Sequence, residues 1–281
     1  MKNKVVIIFL GAVLFAPAQA KYFNNFDGQE IFPSGVSGGF SGITATEFVQ
    51  GFEGIGTVCD SFSDNFLRNT TSGDPASSST LTLNNLPAHT TITIIFLLAI
   101  IDSWDGAVFP LDQTQAPDFF NVKVDGTSVF SETFTNLSNL GAVQTYEGPA
   151  LVQEQDLGFE KGIYRNDSAY HIILSGIPHD ANHLVIDFFA SGSGWRKGPS
   201  STEESWGIDN IRVVFDQLLP GDICKDACVD ISDLHVLSLV WLNHSCNSVN
   251  HWCDGCDIDQ DGIVNLSDFV FISQSWLQCV E

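Results

Sequence analysis

Along most of the chain the apolar positions fall with the period of strands. Residues 79–83, 90–101, 119–124, 127–134, 169–175, 183–190 and 207–215 either alternate apolar and polar side chains or run apolar without a break. These are the patterns of half-buried and fully buried strands. Turn residues such as Asp125 and Gly126 separate them and fit tight hairpins. The run over 92–101 is strongly apolar and rich in β-branched residues; its length is that of a buried strand, too short to span a bilayer. Past residue 230 the period changes. Leu234, Leu237 and Trp241 recur at i, i+3, i+7, as do Phe269, Ile272 and Trp276, the spacing of one helix face. Neither short helix can bury that face alone, so the pattern predicts that the two pack on each other. The expected class is mainly β: a jelly-roll-like antiparallel β-sandwich over 21–215, a linker over 216–221 with Pro220, and a small all-α unit of two loop–helix repeats over 222–281.

The loops that feed these helices carry the clearest chemistry. Residues 257–268 read DIDQDGIVNLSD. Asp257, Asp259, Asp261 and Asp268 stand at positions 1, 3, 5 and 12, with Gly262 at position 6 and Ile263 at position 7. This is the spacing of an EF-hand calcium loop. Carboxylates at 1, 3 and 5 converge on one hard cation, the backbone carbonyl at 7 joins them, position 12 closes the shell, and the glycine permits the turn. A degenerate twin lies 35 residues upstream over 222–233, with Asp222, Asp226, Asp230 and Asp233 at positions 1, 5, 9 and 12. There Cys224 replaces the oxygen ligand at 3, Ala227 the glycine, and Cys228 occupies 7. Calcium prefers oxygen to sulfur, so the first loop is expected to bind it weakly or not at all.

Two tandem loop–helix units with Asp at position 12 resemble a dockerin, the calcium module that docks extracellular enzymes onto cohesin domains. The resemblance covers the last 60 or so residues and implies a calcium-stabilised docking unit with a cohesin-like scaffold as partner. Dockerins often carry Ser–Thr at positions 10 and 11, where cohesin is contacted; here Ile231–Ser232 and Leu266–Ser267 stand instead.

Residues 1–20 read as a secretory leader: Lys2 and Lys4, a short apolar run, then Ala18-Gln19-Ala20. A secreted or cell-surface protein without a membrane span is therefore expected. With 34 acidic against 11 basic residues and a net charge of −23, the chain lacks the clustered cations that nucleic acid or anionic lipid requires. Six of seven cysteines, Cys224, Cys228, Cys246, Cys253, Cys256 and Cys279, lie in the last 60 residues. In an exported module they read as disulfides of open connectivity, one of them stapling the first loop in place of a metal. Zinc at Cys253 and Cys256 is the competing reading. Cys59 is left over as a buried or free thiol.

Three stretches mark the sandwich: 101–106 with Ser103-Trp104-Asp105-Gly106, 118–126 beginning Asp118-Phe119-Phe120, and 203–213 with Trp206-Gly207-Ile208-Asp209-Asn210. Together they resemble the non-catalytic β-sandwiches of secreted bacterial proteins, broadly similar to carbohydrate-binding and lectin-like jelly rolls. The resemblance implies a binding role. Asp102 and Asp209, each at the edge of an apolar strand, are candidates to share a second calcium with Glu53; the alternative is that Asp102 and Asp105 bond only their own turn. Trp195, in a Gly/Ser-rich loop, and Trp104 are candidates to stack on a sugar, with core packing as the alternative. No G-x-S-x-G, H-E-x-x-H or phosphate loop is present, and His171, His179 and His183 read as structural. No catalytic residue is assigned. The expected function is a secreted, non-catalytic binding module with a calcium-binding docking unit, linked to polysaccharide. The alternatives are a dockerin-bearing glycoside hydrolase and a structural surface protein.

Overall fold

The computed structural model describes residues 21–107, 117–159, 166–195, 204–215, 219–224 and 228–278. The expected leader, residues 216–218 of the expected linker, Asp226 and Cys279 lie outside them.

Among the described residues, thirteen strands form two antiparallel sheets: β1 (Lys21–Asn24), β2 (Glu30–Ile31), β3 (Ser37–Gly42), β4 (Thr46–Phe48), β5 (Asn65–Asn69), β6 (Ser79–Asn84), β7 (Thr91–Asp102), β8 (Phe119–Val124), β9 (Thr127–Thr133), β10 (Ala150–Gln155), β11 (Asp167–Pro178), β12 (His183–Ser191) and β13 (Glu204–Phe215). One sheet runs β3-β6-β12-β8-β9. The other runs β10-β11-β7-β13-β1-β2, with β5 and then β4 attached beside β13. β13 is long enough to take two neighbours on one edge: Trp206 to Ile208 pair with β5, Ile211 to Val214 with β1. The changeover falls at a register shift between Asp209 and Arg212, where a bulge sets Asn210 and Ile211 against the single residue Phe96 of β7.

The sheets face each other across one core that includes Tyr22, Leu81, Phe96, Phe120, Phe188 and Trp206. β7 explains the unbroken apolar run. Its Ile92, Ile94, Phe96, Leu98 and Ile100 point into that core. Its Leu97, Ala99 and Ile101 enter a second core on the outer face, covered by Val49, Phe52, Phe62, Phe66, Leu157 and Phe159. A strand buried on both faces has no polar side to alternate with.

C-terminal to the sandwich lie α1 (Ile231–Leu239), a short turn α2 (His251–Asp254) and α3 (Leu266–Gln274). Each nine-residue helix starts with a capping box: Asp230 accepts from Ser232 N and Asn265 from Ser267 N, while Asp233 and Asp268 reach back to the cap's own N–H. The helices share a core of Leu237, Val229, Val264, Ile272 and the cysteines Cys246, Cys253 and Cys256. The tryptophans depart from expectation. Trp241 and Trp276 fall beyond the helix ends and stay 43% and 39% exposed. The helices stop two residues before i+7 would close the face, and the small core is filled by the cysteine-bearing turn instead.

The disulfides correct two expectations. Cys59 bonds Cys224, across 165 residues, and so ties the sandwich to the first loop. Cys246 bonds Cys253, which removes one thiolate of the zinc reading. Cys228 is also disulfide-bonded.

Candidate functional site

The second loop brings its first three acids together. One carboxylate oxygen each of Asp257, Asp259 and Asp261 lies within 4.8 Å of the other two. The loop's own backbone holds them there. Asp257 Oδ1 and Oδ2 accept from Asp261 N (3.0 Å) and Gly262 N (2.9 Å). Asp259 Oδ1 accepts from Asp261 N (3.2 Å), and Asp261 Oδ1 from Ile263 N (2.9 Å). Gly262 makes the central turn at φ +94°, where other residues are strained. Desolvation raises the Asp259 carboxyl above its ordinary value, and the charges of Asp268, Asp261 and Asp257 raise it further, against a lowering bond from Asp261 N–H. Three mutually repelling carboxylates on a tight loop are the donor set a hard divalent cation would satisfy.

Asp268 stands apart from this trio. It is fully buried; its Oδ1 accepts from Ile258 N (2.6 Å) and Asp259 N (3.3 Å), and its Oδ2 from Asn265 N (2.8 Å). The carbonyl of Ile263 accepts from Asn265 Nδ2 (3.2 Å). Position 12 thus braces positions 2, 3 and 9.

The first loop repeats the brace without the trio. Asp233 Oδ1 accepts from Cys224 N (2.9 Å) and Oδ2 from Asp230 N (2.8 Å). Asp230 caps α1, and Asp222 and Asp233 are buried. Position 3 is Cys224, committed to the disulfide with Cys59. The same loop frame is therefore closed by a covalent bond at the position where its twin presents Asp259.

In the sandwich the register corrects the expected shared ion. β7 and β13 are neighbours, but Asp102 stands opposite Glu204 and Asp209 opposite Leu97. The two aspartates are five residues apart along paired strands, about 17 Å at the rise of a strand, too far for one ion. Asp102 N donates to Asp167 Oδ1 (3.0 Å). Asp209 is the last paired residue before the bulge and accepts from Asn210 N (2.7 Å) and Ser63 N (3.3 Å). Burial pushes its carboxyl up to about 8, with the charges of Asp27 and Asp60 adding to the rise. Exposed Glu53 accepts from Asp64 N (3.1 Å).

A different trio does form. Oxygens of Asp105, Asp118 and Glu204 lie within 4.8 Å of one another, and Asp105 N donates to Asp118 Oδ2 (2.9 Å). Each residue comes from one of the three stretches that stood out in the sequence. The spacing along the chain gave no sign that they meet, because β7, β8 and β13 bring them together from 99 residues apart. This cluster has the donors to coordinate a metal ion.

The aromatic candidates are core residues. Trp195 is 2% exposed and Trp104 fully buried; their ring centroids lie 5.0 Å apart. Trp195 Nε1 donates to the Thr71 carbonyl (3.0 Å) and Trp104 Nε1 to that of Ser205 (2.9 Å). Neither ring offers a face to a sugar. The Gly/Ser-rich loop turns Trp195 inward, which composition alone does not reveal.

No protein-family model matches the chain, and no curated protein matches it. Solved structures with a similar course include the CBM22-1 xylan-binding domain from Paenibacillus barcinonensis Xyn10C, at 10% identity and TM-score 0.31, covering 72% of this chain and 99% of that one. The K2 cleaved adhesin domain of Lys-gingipain matches at 12% identity and TM-score 0.30, covering 72% and 93%. Dimeric latent PorU from Porphyromonas gingivalis matches at 12% and 0.29; the match covers 70% of this chain and only 13% of PorU. At this level of likeness no ligand or activity passes to this chain.

Proposed function

We propose that this chain is a secreted, non-catalytic binding protein whose β-sandwich serves as the ligand-binding module and whose C-terminal repeats form a calcium-dependent, dockerin-like docking unit. The convergence of Asp257, Asp259 and Asp261 carries the reading. Calcium joins these three, the Ile263 carbonyl and Asp268, and so fixes the N-terminus of α3. A duplicated apolar surface supports a docking role: Ile231 and Leu266, at position 10 of each loop, are both 66% exposed, and Leu242 and Leu277 are exposed at matching places after each helix. Exposed apolar residues that recur at the same places in both repeats suit a contact surface, provided they gather into one patch. The partner is a cohesin-like scaffold, the sandwich's ligand is a polysaccharide, and the setting is an extracellular or cell-surface complex.

Calcium titration of the full chain by calorimetry tests the reading, with Asp257→Ala beside it. One site, lost in Asp257→Ala, is expected. No binding, or a single site that survives the substitution, overturns the assignment to this loop. A second site that survives Asp257→Ala points to Asp105, Asp118 and Glu204, and Asp118→Asn removes it.

A further inference from the structure

At one end of the sandwich three connections meet. Residues 85–90 carry the chain from β6 to β7, and residues 179–182 carry it from β11 to β12; both cross between the sheets. Asp125 lies in the turn from β8 to β9. Here His89 and His179 face each other. His89 Nε2 is 2.6 Å from His179 Nδ1. The ring centroids are 4.9 Å apart and the planes 15° apart. That separation is the nitrogen contact plus one ring radius on each side. The rings therefore meet edge to edge in a common plane, with each nitrogen's in-plane lobe aimed at the other. The far nitrogens are also engaged: His89 Nδ1 lies 2.7 Å from the Pro87 carbonyl, and His179 Nε2 lies 3.1 Å from Asp125 Oδ2. His89 is 6% exposed and the His179 side chain 4%, and the edge of Phe215, the last residue of β13, packs on His89.

Three hydrogen bonds in a row need three protons. The carbonyl brings none, and a carboxylate brings none. Two neutral imidazoles bring one each. With His89 Nδ1–H given to Pro87 and His179 Nε2–H given to Asp125, two lone pairs would face each other at 2.6 Å. Reversing the His179 tautomer only moves the deficit to Asp125. We propose that His89 and His179 hold one shared extra proton, and that this proton is a pH-operated latch joining the two sheets at the end where β13 leaves the sandwich. The inference is independent of the calcium reading. A transition metal does not fit the gap: with nitrogens at about 2.0–2.1 Å, a tetrahedral ion needs its two ligands roughly 3.3 Å apart. The groups that meet the pair are the Asp125 carboxylate, the Pro87 carbonyl and the uncharged Phe215 ring. The latch is closed while the pair holds that proton and opens when the proton is lost.

The test is nitrogen-resolved NMR of the imidazole rings in the full chain at about pH 5 and about pH 8, with thermal unfolding of wild type, His89→Ala and His89→Gln. The expected result is three ring N–H protons on the pair at acid pH and two at alkaline pH. The wild-type lead in Tm over His89→Ala, roughly 2–4 °C at acid pH, should disappear at alkaline pH. His89→Gln supplies an amide N–H to His179 without an extra proton, so its lead should not depend on pH. Only two ring protons at acid pH with the contact intact, or a Tm difference independent of pH, overturns the latch. A bridge abolished by a chelator also overturns it and assigns a metal. Should His89→Ala not fold, the wild-type proton count decides.

Discussion

Asp167 illustrates how burial, rather than residue type, sets the behaviour of a carboxylate in this chain. It accepts from Asp102 N and Leu157 N (3.0 Å each), yet burial outweighs both bonds and pushes its carboxyl up to about 6 from 3.8. Below about pH 4 it is protonated in both folded and unfolded chains. Between about 4 and 6 the unfolded chain releases the proton first, so stability falls as pH rises through that window, by up to about 3 kcal/mol. Asp167→Asn cannot titrate. The difference in urea midpoint between wild type and variant should therefore move against wild type from about pH 4 to about pH 7, and a constant difference would show that the folded carboxyl titrates normally. Nothing in the local sequence separates Asp167 from exposed Asp259, whose neighbours are carboxylates. The first is a consequence of β7 and β10 packing on β11. The second is written directly in the spacing of 257–268.

Legibility of the elements followed how each is buried. β6, β7, β8, β9, β11, β12 and β13 were readable because their alternation or apolar runs exceed what a loop carries. β3 was not. Its sequence SGGFSG has the composition of a turn, and only the approach of β6 accounts for it: a Cβ on Gly38 would overlap the Thr82 carbonyl. β13 contains a similar requirement. A Cβ on Gly207 would overlap the Phe66 ring of β5, which is itself locked among Phe52, Phe62 and Phe159. Gly207→Ala should cost about 1–3 kcal/mol in urea unfolding; a change under about 0.5 kcal/mol would mean that the second core yields easily. The loop–helix repeats were legible in position, because ligand spacing is local, while the helices end short of Trp241 and Trp276.

For the molecule as a whole, the Cys59–Cys224 bond is decisive. It makes the first loop a covalent attachment point and fixes one loop of the helical unit to the sandwich. A proteolytic cut between residues 59 and 224 should leave two fragments that run together on a non-reducing gel and part on reduction. Separation without reductant would exclude the bond. A closure spanning 165 residues also restricts the unfolded chain strongly, typically by 2–4 kcal/mol. The Cys59→Ser, Cys224→Ser pair should accordingly lower stability while the calcium affinity proposed for the second loop stays unchanged, since Asp257, Asp259 and Asp261 are held by their own loop.

By itself the sequence determined what depends on neighbours a few residues away: the strand periods, the two loop–helix repeats and the oxygen spacing of 257–268. Each rests on backbone geometry of fixed pitch, so residue type and spacing suffice. Tertiary structure decided what depends on residues brought from afar. It turned Trp104 and Trp195 into core, kept Asp102 from Asp209, gathered Asp105, Asp118 and Glu204, gave Cys59 its partner and aligned His89 with His179. Which strands neighbour one another, and in what register, follows from packing two sheets and a covering layer around shared cores, and that balance is set by the whole chain at once.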